Sequence, residues 1–174
     1  MKKRKRKEMK KDTRPTFQYD GKPVRAGGIL FYTNINNNIF YLLRKGKKDW
    51  GDIGGKTDEK DKMIMDTIIR EVVEETNNVL LNENHTVQEA TAALRTLVEC
   101  SSRDIYYIKK AKYLLLKVEL NSEIYYKNMK RFGLKEQTDD WEMNHYYKWT
   151  EKIQRNKIHP RLRYSEHFFK IFNL

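Results

Sequence analysis

Between Met63 and Thr76 the chain reads MIMDTIIREVVEET. Placed on an α-helix at about 100° per residue, this stretch separates into two faces. Met65, Ile68, Ile69, Val72 and Val73 form an apolar stripe that has to be covered by a core. Glu71, Glu74 and Glu75 fall at i, i+3 and i+4 and share another face. Like charges at that spacing cost a helix about 0.2–0.5 kcal/mol per pair. A solvated helix face tolerates that cost; a hard divalent cation with oxygen ligands removes it. Arg70 lies one turn before Glu74, placed to steady its carboxylate. Just upstream, Gly54, Gly55 and Lys56 read as a loop offering backbone N–H groups and a cation to phosphate oxygens. Loop and acidic face together describe a site for a metal-bound pyrophosphate.

The rest of the chain supplies what the helix must cover. Val24–Thr33 and Ile39–Arg44 are apolar, β-branched and aromatic, and flank the polar cluster Asn34–Asn38. They predict a β-hairpin with a loop of about five residues. Asp49–Asp58 reads as a glycine-rich loop and Thr86–Leu97 as a second helix. Asp104–Ile108 and Tyr113–Leu120 read as strands, the second (YLLLKVEL) apolar enough to be central. Asn121–Gly133 reads as a helical insertion, and Tyr146–Trp149 as a short strand. Arg161–Phe172 reads as a helix with Ser165, Phe168, Phe169 and Phe172 on one face. Strands and helices mix without regular alternation, so the class is α/β (α+β) with a mixed sheet.

With 174 residues, 39% of them hydrophobic, the chain suits one domain with its own core. Its formal net charge is +12, which favours an anionic partner. The first fourteen residues, MKKRKRKEMKKDTR, carry nine Lys/Arg and two acids, +7 of that total. Residues 1–15 therefore read as a disordered basic arm and residues 16–174 as the folded domain. The arm suits RNA binding, nuclear import through Lys2–Lys7, or solubility alone. Cys100, the one cysteine, forms no internal disulfide, which points to a reducing, intracellular and cytoplasmic setting. As a free thiol it is expected to be a small buried hydrophobe. No apolar run approaches the roughly 18 residues of a spanning helix, so no membrane partner is expected. His85, His145, His159 and His167 show no ligand spacing; His159-Pro160-Arg161 reads as the start of the last helix. Tyr32 and Trp50 are the aromatic residues best placed to stack on a base.

The segment from Gly55 through Arg70-Glu71-Val72-Val73-Glu74-Glu75 resembles the box of the Nudix hydrolases, matching its Arg-Glu-aliphatic-any-Glu-Glu core at every position. Gly55 stands for the box's first glycine. The interval from Gly55 to Arg70 is one residue longer than the pattern, so the first acidic position falls on Asp61 counted from Gly55 and on Lys62 counted from Arg70. Asp61 is then a shifted acidic residue or a helix cap; as a cap, its replacement by Asn is expected to be nearly silent. Asn77 replaces a glycine, and Asn also enters the left-handed conformation that ends a helix. The Lys- and Asn-rich composition is similar to that of Nudix proteins of large DNA viruses.

The resemblance implies an α/β/α sandwich around a mixed sheet, and hydrolysis of a nucleoside diphosphate linked to some moiety X with Mg²⁺ or Mn²⁺. It implies Glu71, Glu74 and Glu75 as metal ligands, one acting as base, with the Gly55 carbonyl as a further ligand. It implies Arg70 orienting the glutamates and Gly54, Gly55, Lys56 and Trp50 at the substrate. A further acid outside the box is expected, Glu142 first and Glu99 second. The basic arm favours RNA 5′-cap removal as the leading subclass. Small nucleotides, namely NTPs, dinucleoside polyphosphates or ADP-ribose, are the alternative. A non-catalytic RNA-binding module on the same fold is the rival class.

Overall fold

The computed structural model describes residues 13–76, 86–128 and 147–174. The strands are β1 (Phe17–Tyr19), β2 (Lys22–Val24), β3 (Ala26–Ile35), β4 (Asn38–Lys45), β5 (Trp50–Gly51), β6 (Ile53–Lys56), β7 (Arg103–Ile108), β8 (Tyr113–Glu119) and β9 (Tyr147–Thr150). The helices are α1 (Ile64–Thr76), α2 (Val87–Cys100), α3 (Ser122–Asn128), α4 (Pro160–Arg163) and α5 (Phe168–Ile171). β1 and β2 form a separate small hairpin; the other seven strands share one sheet.

β3 organises that sheet. It runs parallel to β8 on one side. On the other side it is split: Ala26–Ile29 pair with β6, and Tyr32–Ile35 pair with β4, both antiparallel. β7 continues beyond β8, and β9 and β5 pair with β4. The sheet is therefore mixed.

Alternation along the strands makes the molecule three-layered. Ile29 and Phe31 of β3, with Leu114, Leu116 and Val118 of β8, face the core under α1 and α2, where Ile68, Ile69, Val72, Leu94 and Val98 meet them. Leu30, Tyr41, Leu43 and Leu115 point the other way and pack under α4 and α5 against Leu162, Phe168, Ile171 and Phe172. All of β8 from Tyr113 to Val118 is buried, Lys117 included, as its nearly continuous apolar run predicts. The sandwich and the mixed sheet expected from the sequence are both present.

Four expectations need correction. The β3–β4 connection is a two-residue turn, Asn36-Asn37, at φ 51° and 64°. Asparagine tolerates that left-handed backbone, so the hairpin closes more tightly than a five-residue loop. The glycine-rich stretch is not a loop at a helix N-terminus. Gly54 and Gly55 lie in β6, opposite Gly28 and Gly27 of β3, and α1 begins only at Ile64. Arg161–Phe172 is broken into α4 and α5 around Tyr164–His167, where the Ser165 hydroxyl accepts the His167 N–H at 3.1 Å. Ser165, Phe168 and Phe172 are buried, but Phe169 is exposed. Cys100 is exposed as well, because it ends α2 beyond that helix's buried Ala90, Leu94 and Val98. The β1–β2 hairpin was missed, although Asp20-Gly21 between short apolar-containing runs is a turn signature.

The facing glycines of β3 and β6 set the distance between layers. Ile68 of α1 packs where a Cβ on Gly27 would stand. A Cβ on Gly28 would overlap the Tyr113 hydroxyl and the Ile53 carbonyl. Gly28→Ala is accordingly expected to destabilise the fold by about 1–3 kcal/mol, read as a lower urea midpoint with an unchanged m-value.

Candidate active site

The acidic face of α1 is organised by one guanidinium. Arg70 donates from Nε to Asp61 Oδ1 and from Nη2 to Asp61 Oδ2, both at 3.0 Å. Nη2 also reaches the Lys56 carbonyl at 3.0 Å. Nη1 is shared between Glu71 Oε1 at 2.9 Å and Glu74 Oε2 at 3.1 Å. Burial alone would lower the guanidinium's proton affinity, but the facing Asp61 and Glu71 carboxylates hold it well above its ordinary value.

Asp61 is saturated. Its Oδ2 accepts from the Thr67 hydroxyl at 2.7 Å and the Asp58 N–H at 2.8 Å, besides Arg70. Burial pushes this carboxyl up, but hydrogen bonds from Arg70, Thr67 and Asp58 overcome it and bring its pKa below the ordinary 3.8. Its oxygens are turned to Arg70, Thr67 and Asp58, and it does not cap α1. Asp66, in the first turn of α1, instead reaches back to the residues before the helix, its Oδ2 accepting the N–H groups of Lys62 and Met63 at 2.9 and 3.1 Å. This geometry argues against a nearly silent Asp61→Asn, since an amide has only one oxygen to accept the two arms of Arg70.

Glu75 is the most enclosed of the three glutamates, its side chain 7% exposed. Arg44 Nη1 lies 2.7 Å from its Oε1, and the Gly54 N–H donates to Oε2 at 3.0 Å. Burial lifts its pKa to about 8 against the pull of Arg44, and the Glu71 charge adds to the rise. Glu71 is raised by burial too, with Glu74 adding to it and Arg70 opposing it. Its carboxylate occupies the space a Cβ on Gly55 would need, which is why this strand position is glycine. The Tyr147 hydroxyl donates to the Glu75 carbonyl and ties β9 to the end of α1.

A second ion pair supports the site from the opposite face of the sheet. Asp52, fully buried, accepts Arg161 Nε and Nη2 through Oδ1 at 3.0 and 2.8 Å. Its Oδ2 accepts the Tyr113 hydroxyl, and the Arg161 guanidinium lies 4.4 Å from the Tyr113 ring centroid. The field of Arg161 also reaches Glu75. His159 starts α4, its Nδ1 accepting the Arg161 N–H, as the sequence implied.

Arg70, Glu71, Glu74, Glu75, Gly54 and Gly55 are thus brought together. The Lys56 side chain is exposed at the end of β6. Trp50 sits on the far side of the sheet, among Leu43, Lys45 and Lys148. Glu99 is exposed on α2 and forms no hydrogen bond or ion pair with the three glutamates. Glu142 lies outside the described residues. Arg44, Asp52, Tyr113 and Arg161 were missed, as they carry no local spacing signal.

The donor set suits a hard divalent cation. Three carboxylates share one helix face; the Glu74 charge raises the proton affinity of Glu71, and the Glu71 charge that of Glu75. Among the described residues no three acidic or histidine side chains already converge as a closed metal cage; Glu71, Glu74 and Glu75 are instead turned onto Arg70 and Arg44.

The chain is an α+β sandwich carrying a buried arginine–carboxylate network at the end of its sheet. No family model and no curated protein matches it. Among solved structures it is similar to the Ap4A hydrolase of C. elegans, at 21% identity over 87% of each chain with a TM-score of 0.34. It is likewise similar to a binary complex of a C. elegans Ap4A hydrolase, at 19% identity over 87% of each chain with a TM-score of 0.36.

Asp61→Asn should cost about 1–3 kcal/mol at neutral pH, by leaving Arg70 half-paired. Because the folded-state pKa of Asp61 is lowered, its contribution is present above pH 3.8 and is lost as pH falls below that value. Denaturant titrations of both proteins across the acid range should converge at the acid end.

Proposed function

We propose that this protein is a divalent-metal-dependent hydrolase of phosphoanhydrides, acting on a nucleoside diphosphate linked to a further group. The observation that carries the reading is the trio Glu71, Glu74 and Glu75 on one face of α1, with Glu71 seated over Gly55. A non-catalytic module has no need of three buried or half-buried carboxylates held against each other by two arginines.

In this reading Glu71, Glu74 and Glu75 hold Mg²⁺ or Mn²⁺, and the ion, when bound, neutralises charge on the pyrophosphate oxygens. Arg70 fixes Glu71 and Glu74 relative to each other and anchors them to Asp61. Arg44 and the Gly54 N–H fix Glu75. Glu71 Oε1 is engaged by Arg70, while Oε2 has no hydrogen-bond donor among the described residues. Its burial-raised proton affinity suits Oε2 to receive the proton of the attacking water. Gly55, lacking a side chain, leaves room for that carboxylate.

Small nucleotides take precedence over capped RNA as substrates. The case for them rests on the carboxylate site of α1, whereas the case for cap removal rests on the sequence of the basic arm. A panel of dinucleoside tetraphosphate, NTPs, ADP-ribose and capped RNA, run with Mg²⁺ and with Mn²⁺, orders these classes.

Glu74→Gln should lower turnover at least about a hundredfold while leaving the unfolding transition in place. Full activity in EDTA, or an unimpaired variant, overturns the mechanism. Independently of any substrate, Mn²⁺ should raise the Tm of the wild type; in a Glu71→Gln, Glu74→Gln double variant that shift should disappear.

A further inference from the structure

Beyond residue 14 the chain carries a net charge of only +5, yet five lysines crowd one concavity of about 270 Å³. Lys45, Lys48, Lys148, Lys152 and Lys157 line it together with Trp50. Strand register explains the clustering. On β4, Arg44 points to the α1 face and pairs with Glu75, so Lys45 points to the opposite face. Lys148 of β9 stands beside Leu43, and Trp50 of β5 stands beside Lys45; all three share that opposite face. Buried Leu43 and Ile158 floor the concavity.

Trp50 is held rigidly. Its carbonyl accepts the His159 N–H at 2.8 Å, and its backbone bridges to Ile158. Two ammonium groups lie over its ring, Lys45 Nζ at 5.0 Å and Lys148 Nζ at 4.2 Å from the centroid. Among the described residues no carboxylate lies within ion-pair distance of any of the five lysines. Burial and the neighbouring Lys45 both push the Lys148 ammonium toward losing its proton. The cluster therefore repels itself, and an anion would relieve it. The volume lies just below the roughly 300–1,000 Å³ typical of drug-sized pockets. It suits phosphate groups better than a whole nucleoside, and mobile lysine ammonium groups serve as point-charge phosphate ligands.

We infer that the Lys45–Lys148–Trp50 concavity is a phosphate-binding site, separate from the carboxylates of α1 and set on the other face of the sheet. The phosphates it takes come either from a nucleotide's polyphosphate chain or from the backbone of a single-stranded nucleic acid.

The test uses full-length protein in EDTA, so that binding through a metal at the glutamates is absent. Inorganic tripolyphosphate is titrated and followed by calorimetry and by tryptophan fluorescence, with the Trp50→Phe variant identifying the Trp50 share of the fluorescence change. The wild type should bind saturably. A Lys45→Gln, Lys148→Gln double variant should bind at least about tenfold more weakly, and Lys45→Arg, Lys148→Arg should restore binding. Unaltered tripolyphosphate affinity in the Gln variant, with an unchanged Tm, overturns the inference. So does loss of binding that the Arg variant fails to restore although it folds. Parallel titrations with a nucleoside triphosphate and with a short 5′-hydroxyl RNA identify the source: the ligand whose affinity drops in the Gln variant is the one whose phosphates the lysines hold. The Mn²⁺-induced Tm shift should be the same in all these variants, so failure here and failure of the hydrolase reading are separately visible.

Discussion

Five hydrogen bonds from the Arg70 guanidinium hold this site together. Remove them, and the two-fold grip on Asp61, the spacing of Glu71 from Glu74 and the link to the Lys56 carbonyl are lost together. The arrangement resolves a conflict built into α1. A helix that carries three glutamates on one face is self-repelling, and burying part of that face makes the repulsion worse. A planar, permanently charged fork satisfies several carboxylates from one position, which a lysine could not do. Arg44 does the same for Glu75, from β4. The site is thus an electrostatic assembly in which Glu71 and Glu74 share an arginine of their own helix while Glu75 takes one from β4.

The glycines of β3 and β6 are the steric counterpart. On the α1 side, the bare backbone of Gly27 admits Ile68, and that of Gly55 admits the Glu71 carboxylate. On the other side, Gly28 and Gly54 leave room for the Tyr113 hydroxyl. One patch of sheet without side chains therefore lets a helix approach closely above and a buried polar cluster form below. The position of Glu71 follows from the sheet as much as from its own helix.

How much of this was legible in the sequence depends on the range of the signal. The α1 faces repeat along a single helix, so the apolar stripe and the glutamates were visible in thirteen consecutive residues, and Arg70 was visible beside them. The buried β8 run and the β3–β4 hairpin were equally local. In sequence Gly54 and Gly55 resemble a phosphate-cradling loop, whereas they form part of β6. A glycine strand has no propensity of its own, and only its partner glycines on β3 explain it. Asp61 was read as a cap or a shifted ligand, because its partner Arg70 is nine residues away. Arg44, Asp52, Tyr113 and Arg161 were invisible, since their roles exist only after distant segments meet. The long C-terminal helix was overextended because the apolar spacing continues across Tyr164–His167, while the backbone turns.

The Asp52–Arg161 pair joins positions 109 residues apart, and that separation bears on the order of assembly. Chain closure over such a span is slow compared with hairpin and helix formation. Until the α4 segment docks, Asp52 is an ionised group on a nascent sheet and must stay hydrated, because burying an unpaired carboxylate is prohibitive. Docking of α4 and burial of Asp52 are therefore coupled: the Arg161 guanidinium is what lets this carboxylate leave water, and apolar segments that cover the same strands without an arginine leave it unpaired.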